Sequence, residues 1–145
     1  GRNVLCEKYA YMMKRTYPEE YEAIREHLPV PSTEKVWLTE WISNALTACQ
    51  EELSSRYPCL IRQGRPVRQE DDRPGTVSFE TYLRGELLTY SVETLRTYAA
   101  YIEKLGKDGK NLCLMILDNM VHHYGYADIA AAETAAETRL CQKVH

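Results

Sequence analysis

Glu80 and Arg84 stand four residues apart, and Tyr82 and Glu86 repeat that spacing two residues further on. Residues four apart share one side of a helix, so a carboxylate and a guanidinium so placed can pair. Gly85 follows Arg84, and a glycine inside a helix costs roughly 1 kcal/mol relative to alanine. Such a glycine lets another backbone or a ligand come close. One reading is the wall of a pocket in which Arg84 holds an anion and Glu80 or Glu86 orients it. The same residues also fit a buried ion pair that tightens helix packing.

Two further groups carry chemistry. In residues 58–77, Arg62, Arg65, Arg68 and Arg73 are interspersed with Glu70, Asp71 and Asp72. Guanidinium forks such as those of Arg65 and Arg68 suit phosphate or carboxylate, unless the neighbouring acids neutralise them. Asp118 and His122 stand four apart, with His123 next. A carboxylate and an imidazole on one face can hold a metal or act as an acid–base dyad. They equally suit a helix C-terminus, where an imidazole meets the negative end of the dipole. A carboxylate-bridged di-iron site needs Glu three residues before His on two helices. Ile24, Asn119 and Met120 precede His27, His122 and His123 at that distance, so no di-iron site is expected. No phosphate-binding glycine loop, nucleophile elbow or dinucleotide fingerprint occurs, and no cofactor follows from these residues.

Helices must position these groups. Asn3 is placed to cap a helix to about residue 16, with Val4, Leu5, Tyr9, Met12 and Met13 on one stripe. Pro18 starts a short helix to about Leu28, and Pro29-Val30-Pro31 forms an extended break. Ser32 or Thr33 caps a long helix to about Tyr57, with Leu38, Trp41, Ile42, Ala45, Cys49 and Leu53 as its apolar face. Residues 58–77 form one long irregular loop, a form often functional or disordered. A linker between two units is the other reading, but neither flank has obvious material for a second core.

Beyond it, Ser78 caps a helix over about 79–90, and Ser91 caps another over 92–105 that ends at Gly106. Val92, Leu95, Tyr98, Ala99, Ile102 and Leu105 form the apolar face of the second. Helices follow over about 110–124, with Gly125 just past the end, and 127–142. No alternating strand is evident. The expectation is an all-α, single-domain bundle of six or seven helices spanning residues 1–145.

Composition agrees with that class. The chain has 145 residues, 44% hydrophobic and 27% charged, with a net charge of −3, close to the globular norm. Lys and Arg number 10 against 12 Asp and Glu in residues 1–72, and 8 against 9 in residues 73–145. With no basic half, nucleic acid is not an expected partner. The longest apolar run, residues 112–117, is far too short for a membrane span. Cys6, Cys49, Cys59, Cys113 and Cys141 form no paired metal motif. They read as reduced thiols, implying the cytosol. Eleven Tyr stand against one Phe, which suits core filling with a hydroxyl at the surface or, alternatively, a Tyr-lined groove.

The segments Gly1–Met13 and Phe79–Leu87 with Thr89-Tyr90-Ser91, then Met120-Val121 and Tyr124-Gly125-Tyr126, resemble a bacterial family known as domain of unknown function 4125. The resemblance covers most of the chain, and its most specific part is the glycine between Arg84 and Glu86. It implies an all-α bacterial cytosolic protein and no particular chemistry. It also implies a further N-terminal segment, with Gly-Gly-Arg and Cys-Gln patterns, preceding the portion seen here. An apolar face would then be left where that segment packs.

Three functions compete. The first is a module that binds a small molecule or a protein through Glu80, Tyr82, Arg84 and Glu86, with the loop bearing Arg65 and Arg68 folded over them. Arg84→Ala would then abolish binding and leave the helix content intact. The second is a small enzyme with an acid–base or metal site at Asp118, His122 and His123, facing Glu80 or Glu86. That requires the groups to lie within about 4–6 Å of one another. The third is a helical module for self-association.

Overall fold

The computed structural model describes the backbone of residues 2–144 and the side chains of residues 8–142. Among these the chain forms α-helices and short 3-10 turns, with no strand. Helix α1 spans Arg2–Thr16, two residues earlier than a cap at Asn3 would give. The side chains of Asn3, Val4, Leu5 and Cys6 lie outside the described residues. Pro18 occupies the first turn of α2 (Pro18–Ile24), where its missing N–H has no helical partner to lose. That helix tightens into a 3-10 turn at Arg25–His27 instead of continuing to Leu28.

Helix α3 (Thr33–Arg56) starts at Ser32, whose hydroxyl accepts the Lys35 N–H at 3.1 Å. Its buried side is rotated from the expected one. Leu38, Ile42, Leu46 and Leu53 are inside, joined by Thr39, Ser43 and Thr47. Trp41 is instead 36% exposed and Trp37 63% exposed. These three hydroxyl residues are buried although they are not apolar, so hydropathy alone misplaces the centre of the stripe.

The stretch 58–77 is more ordered than the sequence suggests. Pro58 begins a short helix, α4 (Pro58–Arg62), whose free Cys59 and Leu60 N–H groups donate to Glu133 at 2.9 and 2.7 Å. That carboxylate lies more than seventy residues away in sequence, so local inspection does not find the helix. A 3-10 turn follows at Gln69–Asp71.

Helices α5 (Phe79–Leu87) and α6 (Val92–Lys107) are capped by Ser78 and Ser91, each accepting an N–H at 3.1 Å. Gly106 lies inside α6, which ends at Lys107 and not at residue 105. Asn111 caps α7 (Leu112–His123), and Gly125 follows it with φ +91°, a left-handed conformation that suits glycine. Helix α8 (Ile129–Val144) closes the chain.

Helix α3 is the axis of the bundle and packs on α4, α5, α6 and α7, while α8 packs on α4 and α7. Leu38, Ile42, Leu53, Leu87, Leu95 and Leu117 lie in the core cluster, as do Val121 and Ala132. The α6 face expected from spacing is the observed one: Leu95 and Leu105 are buried, and Val92, Tyr98, Ala99 and Ile102 pack on the core. Helix α1 buries Ala10 and Met12 but leaves Tyr9 60% exposed. It packs on α5 and α2. No described helix is long and apolar enough to cross a membrane. Cys49, Cys59, Cys113 and Cys141 are free thiols.

Candidate functional site

Gly85 sets the geometry of the site. A β-carbon there would stand 3.1 Å from the Lys8 carbonyl oxygen and 3.7 Å from the Tyr11 β-carbon. The glycine therefore admits the backbone of α1 against α5. This brings Lys8, Tyr11 and Arg15 onto the block that contains Glu80–Glu86.

Glu80 and Arg84 lie beneath that crossing, 4% and 5% exposed. Arg84 Nη2 donates to Glu80 Oε2 at 3.0 Å and to Asn44 Oδ1 at 3.1 Å, and its Nη1 donates to Glu40. Glu80 Oε1 accepts the Gln69 N–H at 3.0 Å. A buried guanidinium must have its donors satisfied, and this one bridges α5 to α3 through three acceptors. Asn44 and Glu40 carry no motif in sequence. Only their position one turn apart on α3 marks them.

The loop does fold over α5. The Phe79 and Glu80 N–H groups donate to Pro66 and Val67 carbonyls at 2.7 and 3.1 Å. Asp72 is the buried pin of this loop, its side chain 2% exposed. It accepts the Ser78 N–H at 2.8 Å, the Thr81 hydroxyl, and Arg15 Nε at 3.4 Å. Arg68 is drawn away from α5 to Glu51 on α3, with Nε donating at 2.8 Å, and this pairing raises its pKa.

Arg65 behaves differently. Its guanidinium carbon lies 4.5 Å from the Tyr82 ring centroid, and Nη1 donates to the Val77 carbonyl at 3.2 Å. Lys8 Nζ lies 4.0 Å from the same centroid and donates to the Tyr82 hydroxyl at 2.8 Å. The bond to Tyr82 raises the Lys8 pKa, Glu86 adding a weaker attraction, so Lys8 stays protonated at neutral pH. Neither cation has a carboxylate ion-pair partner among the described residues. Glu86 also faces Tyr90, whose hydroxyl is pushed up in pKa mainly by burial and then by that carboxylate.

Asp118 and His122 form a separate group. The His122 ring Nδ1 lies 2.7 Å from the Asp118 carbonyl oxygen and 3.6 Å from its carboxylate, with both side chains 51% exposed. The His123 and Tyr124 rings stand edge to face, with centroids 5.8 Å apart. The carboxylates acting on His122 are Asp118 and Asp128, not Glu80 or Glu86. Helix α7 packs on α3 and α8, whereas α5 packs on α1 and α3. Among the described residues, no three His, Cys, Asp or Glu side chains gather where they could hold a metal ion.

A cavity of about 610 Å³ opens on the other side of Arg84, between α1, the 28–32 segment and α3. Tyr11, Lys14, Lys35 and Glu40 line it with Arg84. Burial pushes the Tyr11 hydroxyl up in pKa, opposed by Arg84.

No curated protein matches the chain, and no solved structure does. The family described as "Protein of unknown function (DUF4125)" matches residues 1–134. That match spans nearly the whole fold, the α1–α5 crossing included, and the chain belongs to this family.

Proposed function

We propose that the protein is a binding module that recognises an oxyanion group, carboxylate or phosphate, on a small molecule or protein partner through the Tyr82 face. Lys8 and Arg65 are the contacting cations, and Tyr82 holds both in place. Glu80, Arg84 and Asp72 support the face from below, and Glu86 orients Lys8.

The observation that carries this reading is the convergence of two cations on one tyrosine ring. Cation–π contact is worth roughly 0.5–1 kcal/mol at exposed sites, and two like charges brought together repel. An anion between them would relieve that repulsion and accept from both. Five other arginines are already paired: Arg15 with Asp72, Arg25 with Glu22, Arg68 with Glu51, Arg84 with Glu80 and Arg96 with Glu34.

Thermal unfolding in the presence of phosphate, phenyl phosphate and benzoate tests the reading. The wild-type chain should gain stability with at least one of them, and the double variant Lys8→Met/Arg65→Met should gain none. An equal gain in the double variant would place recognition elsewhere.

A further inference from the structure

The cavity beside Arg84 has a roof without a core. Helix α2 and the 3-10 turn after it bury none of their residues, and α2 packs chiefly on α1. Pro29 and Pro31 then stiffen the segment that leads into α3. A 610 Å³ space lies beneath, within the range of small-molecule sites. Tyr82 is not among its lining residues, so this is a second place on the molecule.

Its chemistry is two-sided. Leu28, Pro29 and Leu88 give it an apolar wall. Lys14 and Lys35 also line it, and neither has a carboxylate partner among the described residues. Lys35 Nζ donates one bond, to the Leu88 carbonyl at 3.3 Å, which leaves two of its three protons free. Lys14 Nζ lies 5.8 Å from the Tyr21 ring centroid, a loose contact. The one acid in the lining, Glu40, is engaged by Arg84. Thr39 also lines the cavity, 4% exposed, and its hydroxyl has no hydrogen-bond partner.

We propose that this cavity binds a small monocarboxylate with an apolar body, its head between Lys14 and Lys35 and its body under the α2 roof. The ligand supplies a contact that α2 and the turn after it lack, so binding slows the opening of residues 18–31. A neutral molecule of the same shape would leave both ammonium groups unanswered. A bare carboxylate would leave the apolar wall wet.

The test compares octanoate, octan-1-ol and acetate by calorimetry and by amide hydrogen exchange on the full chain. Octanoate should bind at least about tenfold more tightly than either control, a difference of about 1.4 kcal/mol. It should slow exchange in residues 18–31. Lys35→Met should weaken octanoate by about tenfold and leave octan-1-ol unchanged. Lys14→Met, at an exposed side chain with no structural bond, should act in the same direction if the Lys35 variant is unstable. Octan-1-ol binding as tightly as octanoate, protection centred on Tyr82 instead of 18–31, or no octanoate binding would each overturn the proposal.

Discussion

At the scale of single residues, burial decides what each charged group can do. Arg84 and Glu80 are both almost fully enclosed, so Arg84→Ala leaves an unpaired carboxylate in the interior. Removing one partner of a buried pair typically costs about 3–5 kcal/mol. Urea unfolding should show a loss of that order, and the paired replacement Glu80→Leu/Arg84→Met should recover much of it. The single variant therefore tests folding first, and Lys8 and Arg65 become the informative positions for binding. Burial similarly pushes the Cys113 thiol up to about 12. Iodoacetamide at pH 8 should modify exposed Cys141 well before Cys113, as read by peptide mass mapping. His122 has its pKa raised above the ordinary 6.5, first by the Asp118 carbonyl and less by the Asp118 carboxylate. Its contribution to stability is fully present below pH 6.5 and fades as pH rises through the folded-state value. Proton NMR should give a midpoint above 6.5 that Asp118→Asn lowers only in part.

At the scale of elements, the α1–α5 crossing depends on Gly85. Alanine there gains about 1 kcal/mol of helix propensity but meets the Lys8 carbonyl at 3.1 Å, so Gly85→Ala should change stability little. Gly85→Leu has no room and should part α1 from α5. Hydrogen exchange should then accelerate in α1 and α2 and leave α3, α6 and α7 protected. The caps at Ser32, Ser78 and Ser91 were legible because they depend on residues three positions away, whereas the Asn111 cap, which starts α7 at Leu112 and not near residue 110, was not read. Helix α4 was not, because its N-terminus is satisfied by Glu133 from α8. The loop 66–72 was legible as a stretch lacking periodicity, but not as a strap. Asp72 pins it through Ser78, Thr81 and Arg15, partners from two helices.

At the scale of the whole molecule, an all-α bundle followed from the helical spacing and the absence of alternating strands. Which polar residues meet did not, because helix order in space is set by long-range packing. The glycine between Arg84 and Glu86 predicted a close approach, and the approaching partner is the backbone of α1. Lys8 has no local feature that singles it out, yet the crossing delivers it to Tyr82. Trp37 and Trp41 are exposed on α3, and self-association, the third reading, would need apolar residues of this kind. Sedimentation velocity across a hundredfold concentration range should show a constant mass if those residues remain unpartnered.

The most direct measurement is a titration of phosphate, phenyl phosphate and benzoate in turn, followed by NMR of the Tyr82 ring and the Lys8 amide, with a response to at least one expected. The account predicts saturable shifts at both positions, weakened by added salt and absent in Lys8→Met/Arg65→Met. Shifts that persist in the double variant, or a Tyr82 signal that ignores all three anions, would contradict it.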